Sequence, residues 1–174
     1  MTASILCLMM ITGMTVPHVG AGPFVQDDVK NQIASATNTL MGRQDGPPTM
    51  EEIVGALLEL LDLSAAVTPD NEYKAEIQYR IDVAKDRIKD NSLFDDKARQ
   101  YLCFAYRMMT EGRKYEMPKE LDEFVTPAEL QEKTLRYVER LVTQSLEALE
   151  GGNRQDTARL LLEIVLMTIT PHPG

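Results

Sequence analysis

Histidine, the side chain that most often acts as a general base or metal ligand near neutral pH, occurs only twice in this sequence. His18 lies in an apolar N-terminal segment, and His172 lies near the other end. No internal histidine is left for a Ser-His-Asp or Cys-His triad, a histidine-based zinc site or a Glu-x-x-His di-iron site. His172 alone offers too few ligands to hold a metal. We therefore expect neither a metal ion nor any other cofactor.

The two cysteines, Cys7 and Cys103, do not form a Cys-x-x-Cys motif, which excludes haem attachment and dithiol redox chemistry of that type. Cys103 stands among Leu102, Phe104 and Ala105. Because a reactive thiolate needs an electropositive and partly exposed setting, this apolar neighbourhood favours a structural thiol.

Carboxylates are abundant, and two pairs have the spacing that puts both members on one helix face. These pairs are Glu129 with Glu132 and Glu147 with Glu150. Paired carboxylates can perform acid–base catalysis, but only where burial raises the pKa of one of them. Charged neighbours surround both pairs, so we expect a solvated acidic face and keep carboxylate catalysis as an alternative.

The charge balance makes nucleic acid an unexpected partner. The chain has 27 acidic and 18 basic residues, for a formal net charge of -9. An acidic protein repels phosphate backbones, and no run of lysine and arginine interrupts this pattern. We expect another protein to be the partner.

The first 21 residues carry no Asp, Glu, Lys or Arg, and Ala3 to Met14 is a short apolar stretch. It has the length of the apolar region of a signal peptide but is too short to span a bilayer comfortably. Val19 and Ala21 supply the small-residue pattern of a cleavage site. Residues 1–21 therefore indicate a cleavable signal peptide, a periplasmic or secreted location and no stable membrane span after its removal. The alternatives are a buried N-terminal core helix, which would place the protein in the cytoplasm, and an uncleaved anchor.

Apolar residues recur at intervals of three and four throughout the rest of the chain, and no segment shows the period-two alternation of a half-buried strand. This pattern predicts an all-α fold, a single-domain bundle over residues 22–174 that ends in an antiparallel helical hairpin. About six amphipathic helices are expected, near 24–41, 50–66, 69–90, 93–111, 127–150 and 154–169.

Capping signals refine several of these boundaries. Thr49 with Glu52 and Thr126 with Glu129 fit the capping-box pattern. Thr68 followed by a proline predicts the start of the third helix, and Ser92 is the expected cap of the fourth. The second helix is apolar nearly all round, which is typical of a central and mostly buried helix.

The longest irregular stretch, residues 113–125, is the candidate site of contact, with one short turn expected at 118–124. It combines basic, aromatic and soft apolar side chains, a mixture found at protein interfaces. A plain connecting loop is the alternative. The candidate contact residues are Arg113, Lys114, Tyr115, Met117 and Phe124.

These features together predict an exported, non-catalytic helical domain that acts through protein–protein contact. The first alternative is a carrier that holds an apolar small molecule in the bundle interior, between Tyr73, Tyr101, Met108 and Met109. The second alternative is an enzyme that uses carboxylate acid–base residues.

Overall fold

The computed structural model describes residues 23–43, 46–90, 93–122 and 126–171, which form an all-α bundle with no strand among them. The predicted fold class is confirmed, and the predicted leader lies outside the described residues. These ranges contain seven helices: α1 Pro23–Leu40, α2 Met50–Val67, α3 Lys74–Asp90, α4 Asp96–Met109, α5 Lys119–Asp122, α6 Pro127–Glu150 and α7 Arg154–Ile169.

Both predicted capping boxes are present. The Thr49 side chain accepts a hydrogen bond from the backbone of Glu52, and the Glu52 carboxylate accepts one from the backbone of Thr49 at 2.7 Å. Thr126 and Glu129 make the same reciprocal pair at the start of α6. Each box satisfies backbone donors that the first helical turn cannot pair internally.

The third helix begins at Lys74, five residues after its predicted start at residue 69. Thr68 does not cap α3, because it ends α2 and its hydroxyl donates to the Ser64 carbonyl at 2.8 Å. The Arg154 guanidinium donates to the carbonyls of Val67 and Thr68 at 3.1 and 3.3 Å. A turn follows, in which the Asn71 side chain accepts from the Tyr73 backbone N–H at 2.9 Å, and α3 begins after it.

Helix α4 is shorter than the predicted segment 93–111. It begins under the cap of Asp95, whose carboxylate accepts from the Ala98 backbone and pairs with Arg87 at 2.8 Å. The predicted cap, Ser92, lies outside the described residues. The short turn expected after residue 118 is present as α5.

The last helix, rather than the second alone, occupies the centre of the bundle. Helix α7 packs against α2, α4 and α6, and it is buried on nearly all sides from Thr157 to Ile169. Helix α2, predicted to be central, packs against α1, α3 and α7. The apolar side chains between these two helices form the middle of the core, with Leu57, Leu60, Leu61, Leu161, Leu162 and Val165 fully buried.

Helices α3 and α4 form one edge of the bundle. Among the described residues, α3 packs only against α2 and α4, and α4 packs only against α3 and α7. The outer seam between α3 and α4 is therefore not covered by any other described helix.

Candidate functional site

The predicted contact loop is partly built into the core. Arg113 and Lys114 are exposed, whereas Tyr115 and Met117 are half-buried against the core, and Phe124 lies outside the described residues. The Tyr115 ring meets the ring of Tyr106 edge-on, with 5.6 Å between centroids. The structure therefore brings only part of the predicted set to the surface.

A polar network on α4 and α7 supports this loop. The Tyr106 hydroxyl donates to Glu163 at 2.7 Å, and Arg159 donates to the same carboxylate at 3.0 Å. Burial and the Glu163 carboxylate raise the pKa of Tyr106 to about 12. Burial also raises the pKa of Tyr115, whose hydroxyl is buried without a partner. These tyrosines stay neutral near physiological pH, which suits them to packing.

Cys103 lies half-buried on the side of α4 that carries Arg99 and Arg107. Burial raises the pKa of its thiol, although the two guanidinium groups act in the opposite direction. A raised pKa reduces the thiolate fraction, so this cysteine lacks the activation that a nucleophile needs.

The candidate acid–base pairs lie in solvent. Glu129 belongs to the capping box, and the hydrogen bonds from Thr126 hold the pKa of its carboxyl below the usual value. Glu132 is exposed and pairs with Arg136. A general acid at neutral pH needs a raised pKa, and Glu129 is shifted in the other direction.

The second pair has the same character. Glu150 is exposed and pairs with Lys30 of α1, and Glu147 is also exposed. Neither pair has the burial that acid–base catalysis requires.

The predicted wall of an interior carrier site is not formed, because its four residues border different spaces. Met109 is 3% exposed and, with Met108, borders a small space of about 10 Å³, room for no more than one water molecule. Tyr73 and Met108 line an open depression of about 520 Å³, and Tyr101 lines another of about 350 Å³. Three of the four therefore face the outer surface rather than the interior.

Phe104 separates these two depressions and borders both of them. Its side chain is 48% exposed, and the guanidinium carbon of Arg80 lies 4.8 Å from its ring centroid. We use the name Phe104 groove for the surface formed by Tyr73, Arg80, Lys97, Tyr101, Phe104 and Met108.

Cations border the Phe104 groove. Arg80 pairs with Glu76 at 2.8 Å, whereas no ion pair to a described residue holds Lys97 or Arg107. Arg107 lines the depression on the Met108 side, and Lys97 lines the other. The groove thus combines exposed aromatic surface with two available positive charges on a chain of net charge -9.

The sequence contains the helical spacing of this surface, but the surface was not predicted from it. Lys97, Tyr101, Phe104 and Met108 follow one another at intervals of four, three and four, which places them along one line of a helix. Whether another helix covers that line depends on the tertiary arrangement.

Neither a metal site nor a membrane-spanning helix is found among the described residues. They contain no group of three or more His, Cys, Asp or Glu side chains able to hold a metal ion. None of their helices is long and apolar enough to cross a membrane.

Comparison with protein-family models, curated proteins and solved structures found no match to this chain. Function must therefore be argued from the surface itself.

Proposed function

We propose that this protein is an exported, non-catalytic helical domain that binds another protein, and that the Phe104 groove is its contact surface. The observation that carries the proposal is an exposed phenylalanine between two depressions on a seam that no described helix covers. Aromatic anchors within a partly apolar surface are typical of the residues that contribute most to protein binding.

The partner is a protein segment that is acidic and carries apolar side chains. Lys97 and Arg107 provide positive charge beside the aromatic floor, and opposite charge on the partner would speed association and fix its orientation. A second copy docked symmetrically would set these same cations against each other. Nucleic acid is disfavoured because it carries a charge on every phosphate, whereas the groove offers only a few cations on a chain of net charge -9.

Affinity capture from cells that make this protein tests the proposal with three chains: wild type, Phe104→Asp and Tyr79→Asp. Tyr79 is a matched control, since it is an aromatic residue of α3 with 57% exposure and lines neither depression. We expect a protein that wild type and Tyr79→Asp retain and Phe104→Asp loses. Cross-linking followed by mass spectrometry should place a segment of net negative charge against α4.

Several results would contradict the proposal. A partner that Phe104→Asp retains would place the contact elsewhere. Capture of single-stranded nucleic acid, or of a second copy of the chain alone, would assign the groove to a different occupant. Thermal unfolding of each variant establishes that lost binding does not reflect lost structure.

The exported location is a separate part of the proposal and rests on the apolar, uncharged leader. Mass spectrometry of the purified natural protein should find Gly22 at its N-terminus and the protein outside the cytoplasm. A cytoplasmic chain that retains residues 1–21 would contradict export without affecting the contact surface.

A further inference from the structure

We infer that the partner segment is an amphipathic acidic helix that lies along the Phe104 groove with two apolar side chains seven residues apart, one on each side of Phe104. This inference rests on the proposed function and specifies the partner's secondary structure, spacing and charge. The juxtaposition that carries it is the pair of depressions that share Phe104 as their common border.

The spacing follows from the geometry of α4. Tyr101 lines one depression and Met108 lines the other, and the two residues stand seven positions apart on one helix. A rise of 1.5 Å per residue separates them by about 10 Å along the axis. A partner helix aligned with α4 spans the same distance between its own positions i and i+7, which lie on one face.

Helical structure in the partner follows from the floor of the groove. The depression on the Met108 side presents mainly the rings of Tyr73 and Phe104 and the thioether of Met108. In the other depression, Arg80, Lys97 and Gln100 add polar side chains beside Tyr101. No strand edge exists among the described residues to pair with its backbone. An extended segment would leave backbone N–H and C=O groups unpaired against this surface, whereas a helix satisfies them internally.

Phe104 determines what the partner carries between its two anchors. The ring stands between the depressions and is half exposed, so it occupies the space that a large side chain at i+3 or i+4 would need. A small residue, such as Ala, Gly or Ser, is expected at one of these positions. The ridges of side chains on the partner helix, formed by residues three or four positions apart, would then fit between the side chains of α4, as in ordinary helix packing.

The charges define the ends of the segment. Lys97 borders the depression that contains Tyr101, where Arg80 is already paired with Glu76. Arg107 borders the depression that contains Met108, which Glu111 also lines. Carboxylates on the partner near each end would meet these cations. Because exposed ion pairs contribute little to affinity, their main effects are on association rate and on salt dependence.

Selection from a display library tests the inference with segments of random sequence, so the natural partner need not be identified first. The library presents segments of about 16 residues, long enough for roughly 24 Å of helix. The full chain is the target, and segments that also bind the Phe104→Asp chain are removed. We expect the surviving sequences to be net negative, with large apolar residues at i and i+7 and a small residue between them.

Each outcome separates this inference from the proposed function. If no segment is enriched in a way that depends on Phe104, that result would contradict the contact surface itself. Phe104-dependent sequences with alternating apolar residues, or with net positive charge, contradict only the acidic helix. A selected segment should lose about tenfold or more in affinity when either anchor becomes alanine, and also when a central proline breaks its helix.

Variants of the groove provide the matched controls for that segment. Tyr101→Ala and Met108→Ala should each weaken binding by several-fold, because each removes one wall of a different depression. Tyr79→Ala should leave the affinity unchanged. Equal affinity for the Tyr101, Met108 and Tyr79 variants would contradict the two-anchor arrangement.

Discussion

Two aromatic residues on α4 lie in opposite environments although they are only two positions apart. Tyr106 is 6% exposed and points to α7, where its hydroxyl is bonded to Glu163. Phe104 lies on the other side of the helix and is half exposed. A change at Tyr106 should therefore alter stability, whereas a change at Phe104 should alter binding.

Replacement of Tyr106 by phenylalanine should lower the free energy of unfolding by about 1.5 kcal/mol, because a partly buried hydrogen bond to a carboxylate is lost. Urea denaturation at neutral pH measures this change. Tyr79→Phe is the control, and its exposed ring should give a change within about 0.5 kcal/mol. Equal effects of the two substitutions would contradict the role assigned to the Tyr106–Glu163 bond.

The raised pKa of Tyr106 predicts a loss of stability in alkali. The unfolded side chain ionises near pH 10, whereas the folded one ionises near pH 12. The folded state therefore retains a proton that the unfolded state loses, and its contribution to stability is complete below pH 10 and lost as the pH rises through 12. Urea denaturation across this window should show a steeper decline for wild type than for Tyr106→Phe. Parallel curves would contradict the prediction.

At the scale of helices, the sequence predicted the boundaries that are set by interactions between neighbouring residues. The Thr126–Glu129 box and the turn after Glu150 both appear where the sequence indicated, with Gly152 at a positive φ of 74° that favours glycine. The predicted start of α3 was wrong because Thr68 ends α2 and a turn at Asn71, whose side chain accepts from the Tyr73 backbone N–H, precedes Lys74. The Thr-Pro pair resembles a helix start, and its spacing alone does not show that the residue before the proline ends another helix.

Loss of the cap at the start of α6 should destabilise the fold. Thr126→Ala removes the acceptor for the Glu129 backbone N–H and should lower the free energy of unfolding by about 1 kcal/mol. Thr143→Ala is the control on the same helix, because its exposed hydroxyl bonds only to the Glu139 carbonyl within the helix. Chemical denaturation of both variants measures the difference.

The contribution of the Thr126–Glu129 capping box to the free energy of unfolding should depend on pH. Because the pKa of Glu129 is lowered in the folded state, its contribution is present above pH 4.5 and is lost as the pH falls through its lowered value. The difference between wild type and Thr126→Ala should therefore shrink on acidification. A constant difference from neutral pH into acid would contradict this assignment.

The sequence indicated the kinds of side chain that the Phe104 groove contains, but not that they would be exposed on α4. The prediction of a contact site at residues 113–125 stays a prediction. Residues 113–125 had an interface-like mixture, yet Tyr115 packs against Tyr106 instead of facing solvent. The exposed aromatic surface lies on α4. Helices α3 and α7 pack against other sides of α4 and leave Phe104 uncovered. Exposure of a helix face is a property of the whole arrangement, which helical spacing alone does not determine.

At the scale of the molecule, the fold is completed by its last described helix. Helix α7 fills the space between α2, α4 and α6, and its Arg154 holds the end of α2. The core therefore depends on contacts between residues far apart in the sequence, and folding should be cooperative.

Truncation of a central side chain of α7 should test this arrangement. Leu161 is fully buried, and Leu161→Ala should lower the free energy of unfolding by about 3 kcal/mol, a large fraction of the ~5–15 kcal/mol typical of a domain. Leu135→Ala, at a half-buried position of α6, is the control and should cost less than half as much. Comparable losses would contradict the central position of α7.

Binding of an acidic protein segment by the Phe104 groove is tested most directly by the affinity of a segment selected from the display library for wild type and for Phe104→Ala. Fluorescence anisotropy should give at least about tenfold weaker binding to Phe104→Ala, while its thermal unfolding midpoint stays close to that of wild type because the side chain is half exposed. Equal affinities of the two folded chains would contradict the account.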